Sequence, residues 1–103
     1  MIETMKYIKN EKDFEQFNSK EIEVFKYNGV FDVDFLNNAP DWFTEAIENE
    51  TILYFGKCNN KDRLLIRPYM LIVEDGYYIV RKLSSKKIAA CTEEFLNEYF
   101  DKV

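Results

Sequence analysis

From Thr51 onward the chain is a succession of strand-length runs cut by turn residues, and it closes on a helix start. Thr51-Ile52-Leu53-Tyr54-Phe55 is apolar and rich in aromatic and branched residues, which fit a pleated surface. The connection 56–62 carries Asn59-Asn60, a polar loop of ordinary hairpin length. In 63–67, alternation places Leu64 and Ile66 on one side and Arg63, Leu65 and Arg67 on the other. Pro68 has no N–H to give to a ladder, so it ends the pairing or marks an edge. Residues 69–73 read as a further strand, and Asp75-Gly76 is the strongest two-residue turn signal in the chain, predicting a hairpin. Residues 77–83 and 87–90 are two more strands about Ser84-Ser85. Thr92 then offers an N-cap oxygen, Glu93 and Glu94 complement the helix dipole, and Phe95, Leu96, Tyr99, Phe100 and Val103 form an apolar stripe.

The first half repeats the theme less regularly. Residues 11–19 place Phe14 and Phe17 three apart among charges, as in a short amphipathic helical turn. Residues 20–27 alternate Ile22 and Val24 with Glu21 and Glu23, a strand with one wet face that ends at Asn28-Gly29. Residues 30–36 fit either a strand or a loop packed by its aromatics. Pro40 suits a first helical position, and Asp41 adds charge at the positive end of the dipole. Trp42, Phe43, Ala46 and Ile47 make one apolar stripe with Glu45 and Glu48 outside it, a short helix with a buried tryptophan.

At 103 residues the expectation is a single domain, 1–103, with 1–19 as an N-terminal extension or short helix. The order of elements predicts an α+β fold. About five mostly antiparallel strands form a curled sheet, open to partial barrel closure, with two short helices packed on it. Apolar residues make up 47% and aromatics 17% of the chain, enough burial to offset chain entropy and exclude disorder. No apolar run approaches the ~18 residues of a membrane span, and the first residues lack the pattern of a secretory signal. The expectation is a soluble cytoplasmic protein without membrane association.

Charge is asymmetric. Residues 1–50 hold twelve acids against five lysines, a net of −7, leaving +2 for the remainder and −5 for the chain. Such a front half repels phosphate backbones, so general nucleic-acid binding is not expected unless Arg63, Arg67, Arg81, Lys82, Lys86 and Lys87 converge on one surface; it attracts a basic partner instead. Asp32, Asp34, Asp41, Glu45 and Glu48 are the candidate contact residues for a protein partner. A second candidate set, Arg67, Tyr69, Tyr77 and Arg81, interleaves cations with aromatics as a nucleotide-stacking surface does.

Catalytic chemistry is poorly provided for. There is no histidine, and Ser19, Ser84 and Ser85 lack a nucleophile-elbow context. Cys58 and Cys91 are two ligands where zinc takes four. They read as a loop thiol and a small buried thiol. None of Gly29, Gly56 and Gly76 opens a helix, so no phosphate loop is present and no cofactor is expected. Paired carboxylates among Asp32, Asp34, Asp41 and Glu45 are the remaining enzymatic option, but their spacing is that of an ordinary solvated surface. A non-enzymatic binding protein is the leading expectation, a nucleotide-sequestering protein the alternative and a carboxylate enzyme the third.

The ordered set 20–29, Pro40-Asp41-Trp42, Leu64-Leu65-Ile66, Gly76-Tyr77-Tyr78-Ile79-Val80 and Cys91 with Phe95 and Tyr99 resembles a family of small phage and prophage proteins of Gram-positive bacteria. Those proteins begin near K-K-P-V-V-I-E-A and carry P-x-W, G-D-Y-I-I and C-x-x-x-F-x-x-x-Y elements. The resemblance spans 20–103. Tyr77 stands where the family usually has Asp, and Lys86-Lys87-Ile88 replaces a G-E-I turn. The resemblance implies a phage accessory setting and supplies no mechanism.

Overall fold

The computed structural model describes residues 1–10 and 20–103; the helical turn expected at 11–19 lies outside them. Among the described residues the fold is α+β and antiparallel, as the sequence predicts, with eight strands in two sheets where about five in one curled sheet are expected, and three short helices in place of two. The strands are β1 (Met5–Lys9), β2 (Glu21–Lys26), β3 (Ile52–Cys58), β4 (Lys61–Ile66), β5 (Leu71–Val73), β6 (Tyr78–Lys82), β7 (Ile88–Cys91) and β8 (Phe100–Lys102). The helices are α1 (Val33–Asn38), α2 (Asp41–Glu48) and α3 (Glu93–Tyr99). One sheet runs β7-β6-β2-β1-β8 and the other β3-β4-β5, and neither closes into a barrel.

The five-stranded sheet is covered on both faces, which explains why β2 alternates only in part. Ile22 and Val24 point to one side, where they meet Tyr7, Tyr78, Val80, Cys91, Leu96 of α3 and Phe100. Phe25 and Tyr27 point to the other, into a core with Trp42, Phe43 and Ala46 of α2, Leu64, Ile66 and Val73 of the smaller sheet, and Ile79. Aromatic rings fill this second core edge-to-face. Phe43 meets Phe25 at 5.5 Å and Phe35 at 5.4 Å between centroids, with planes near perpendicular. That arrangement sets a ring edge against a neighbour's negative face. The indole N–H of Trp42 donates to the Glu23 carboxylate at 2.7 Å, so the buried ring keeps its polar handle satisfied.

Residues 30–36, open between strand and loop in the sequence, start a helix. The Asp32 carboxylate accepts from the Phe35 N–H at 2.8 Å, capping α1, and Asp34 lies in its first turn. Pro40 is the N-cap of α2, extended at φ −65°, ψ 153°, one position earlier than expected. Thr92 caps α3 through its hydroxyl, as expected. The stripe predicted for that helix stops early. The chain turns extended at Phe100, which pairs with β1, and Val103 is exposed.

Asp75-Gly76 does not make a hairpin. β5 pairs with β4, while β6 pairs with β2 and β7, so this turn carries the chain from one sheet to the other. The connection of hairpin length read around Asn59-Asn60 does join β3 to β4 as a hairpin, with both asparagines at positive φ (53° and 64°). That handedness matches the right-handed twist of the flanking strands, and asparagine tolerates it better than most residues.

Candidate functional site

The five acidic candidates lie on α1 with its cap and on α2, two helices that pack on the same aromatic core. Asp41, Glu45 and Glu48 are exposed and recur at i, i+4 and i+7, a single stripe opposite the buried Trp42, Phe43 and Ala46. Asp34 is exposed on α1, while one oxygen of Asp32 is engaged in its cap. Among the described residues no group of three or more His, Cys, Asp or Glu is disposed to hold a metal ion.

The second candidate set is split between the sheets. Arg67 and Tyr69 lie at the end of β4 and in the turn after it, where the Arg67 Nε donates to the Glu50 carbonyl at 2.9 Å and Tyr69 is 86% exposed. The Arg67-Pro68 peptide is cis. Tyr77 packs against the aromatic core just before β6. Arg81 sits four residues further, ~13 Å along that strand. It is opposite Glu23 of β2 and Ile88 of β7.

A surface that the sequence left unassembled stands out on the smaller sheet. Its inner side, carrying Ile52, Leu64, Ile66 and Val73, faces the core. The register Leu53↔Leu65↔Ile72 therefore sets three aliphatic side chains in a row across its outer side. No described helix or strand lies in core contact with that row. Leu65 is nonetheless only 6% exposed, with Leu53 and Ile72 beside it across the strands and Arg63 and Arg67 at i±2. Arginine stems cover apolar neighbours in this way while their heads stay wet.

Phe55 continues the row at 40% exposure, with the Arg63 guanidinium carbon 5.0 Å from its ring centroid. Arg63 also donates a long bond, 3.4 Å, to the Phe55 carbonyl, and its Nε is buried with no hydrogen-bond partner. Ile72 is 37% exposed, and Tyr69 and Met70 extend the apolar surface at one end. Alternation within 63–67 was legible; that Leu53 and Ile72 join Leu65 needs the two pairings.

Behind this sheet a polar knot fixes its position. The Asp62 carboxylate accepts from the Phe31 N–H and the Tyr54 hydroxyl, both at 2.9 Å, and the buried Tyr27 hydroxyl donates to the Asp62 carbonyl at 2.8 Å. The two bonds to its carboxylate, led by the Phe31 N–H, hold Asp62 below the usual carboxylate range. Burial first, and Asp62 second, raise the Tyr27 phenol. Gly29 has φ +76° and gives its carbonyl to the Asp62 N–H. A Cβ there would stand 2.9 Å from Lys61 Cδ and 3.0 Å from Asp75 Cβ, so the close approach requires glycine. Both cysteines are free. Cys58 is exposed, and burial pushes the Cys91 thiol up to about 12.

The chain matches no protein-family model, no curated protein and no solved structure.

Proposed function

We propose that the protein works by binding another protein, without catalysing a reaction, and that the outer face of β3-β4-β5 anchors the contact. The observation that carries this reading is the row Leu53–Leu65–Ile72, extended by Phe55, Tyr69 and Met70 and left uncovered by the other described elements. Contiguous exposed apolar surface with aromatic, Met and Arg residues is the composition of interface cores. A non-catalytic role is supported by the state of the nucleophiles and acids. The Cys91 thiol is buried and stays protonated at neutral pH. The carboxylates of Asp32 and Asp62 are engaged with backbone and tyrosine donors. The phage or prophage accessory setting implied by the order of motifs, in a bacterial cytoplasm, belongs to the same proposal.

A contact through the helices is the second reading, favoured by the alignment of Asp41, Glu45 and Glu48 on one exposed stripe. Charge there accelerates association with a basic surface. Photo-crosslinking separates the two. Benzoylphenylalanine placed at position 72 or at position 45, in cells that make the protein, is expected to give a discrete protein adduct from 72. An adduct from 45 alone transfers the contact to the acidic stripe. Absence of adducts from both positions overturns protein binding.

A further inference from the structure

The same face specifies the chemistry of what it takes, and this step rests on the docking reading above. Alternation brings Leu53, Phe55, Arg63, Leu65 and Ile72 to it from β3, β4 and β5, and Arg67 and Glu74 continue the lines of β4 and β5 on the same side; two of these are cations and one, Glu74, is an acid. That composition is opposite in sign to a chain of net charge −5. Arg63 carries the more specific signal. Its Nε is a buried donor without a partner, and its guanidinium is already held over the Phe55 ring. Arg67 is likewise steadied by its bond to the Glu50 carbonyl. The two arginines are four residues apart on one line of β4, so their Cα atoms are ~13 Å apart, with Leu65 between them.

We infer that the outer face of β3-β4-β5 takes an acidic, apolar segment of a partner protein, seated along β4 with carboxylates on Arg63 and Arg67 and aliphatic side chains on Leu53 and Ile72, either side of the covered Leu65. Guanidinium forks pair with carboxylates through two parallel bonds, and holding the fork in advance reduces what is lost on binding. A helix ~10–12 Å across fits a sheet three strands wide, and glutamates eight residues apart, ~12 Å, match the spacing of the arginines. Single-stranded nucleic acid fits less well. The centre of the face is aliphatic and offers bases nothing to stack on. Its one ring within the strands, Phe55, is occupied by Arg63, and two cations neutralise few phosphates.

The test is fluorescence anisotropy with the full chain and four labelled probes. The first is an amphipathic helical peptide with leucines on one face and glutamates eight apart. The others are the same peptide with lysine for each glutamate, the same with serine for each leucine, and an oligothymidylate. Only the first is expected to bind. Arg63→Gln and Ile72→Asp, each checked for an unchanged far-ultraviolet spectrum, weaken it by about tenfold or more, ~1.4 kcal/mol, and Asp101→Asn, exposed on β8 at the edge of the other sheet, leaves it unchanged. Should either variant fail to fold, Arg67→Gln replaces it with the same expectation. Failure of the glutamate peptide to bind overturns the inference. Equal or tighter binding of the lysine peptide, lost in Ile72→Asp, overturns the acidic chemistry while keeping a protein-docking face. Binding of the oligothymidylate to that face overturns both.

Discussion

Asp62 ties β4 to two other stretches of chain: residues 27–31 just after β2, through the Tyr27 hydroxyl and the Phe31 N–H, and β3, through the Tyr54 hydroxyl. Because the two bonds to its carboxylate, from the Phe31 N–H and the Tyr54 hydroxyl, favour its charged form, its contribution to stability is complete above the unfolded-state value near 4 and is lost as pH falls through the lower folded value. Asp62→Asn is expected to flatten the acid limb of stability against pH, read as urea midpoints between about pH 2 and 6. Tyr27→Phe removes one buried hydroxyl bond and leaves the Asp62 carbonyl short of a donor, a cost of about 1 kcal/mol in urea unfolding. Cys91 acts at the other end of the scale. Its folded value of about 12 lies above the ~8.5 of an unfolded thiol. Its contribution is therefore intact below ~8.5 and falls as pH rises past it, since the unfolded state loses the proton first. In Ellman's assay Cys58 is expected to react at once and Cys91 only on addition of denaturant.

Elements whose identity lies in their own residues were readable before the structure. The end of α3 nearest Thr92 is set by a hydroxyl cap, and Thr92→Ala should cost about 1 kcal/mol by thermal or urea unfolding. The β3–β4 hairpin depends on two left-handed asparagines, and Asn60→Ala should cost ~1–2 kcal/mol by the same measurement. Elements defined by their partners were not readable. β8 is three residues long and exists because Phe100, Asp101 and Lys102 pair with Lys9, Ile8 and Tyr7. β1, the sequence Met-Lys-Tyr-Ile-Lys, gives too short an alternation to stand out. α1 spans six residues, less than two turns, and declares itself only through the Asp32 cap. At Asp75-Gly76 the turn chemistry was real, but whether the next strand folds back or crosses to another sheet is decided by whether Val80 faces Val24 or a neighbour in β5. No local signal records that choice.

At the scale of the molecule, two layers share one aromatic core, while the outer side of the smaller sheet lies on neither of the two hydrophobic clusters. The division of Leu64 and Ile66 from Arg63 and Leu65 across β4 was visible as alternation. The docking face itself was not, since its row is contributed by residues 53, 65 and 72 from three strands. Asp41, Glu45 and Glu48 are legible as one helix stripe because three and four residue steps return to the same side. Tyr69 and Arg67 fall at the end of the apolar face, while Tyr77 and Arg81 belong to the other sheet, a separation that only the crossing at Gly76 creates. The functional account therefore depends on Leu53 and Ile72 being open to solvent in the isolated protein. Methyl relaxation enhancement by a soluble paramagnetic agent measures this residue by residue. The Ile72 and Leu53 methyls are expected to relax strongly and those of Leu64 and Ile66 weakly; Ile72 and Leu53 methyls as protected as those of Leu64 would contradict an open docking face.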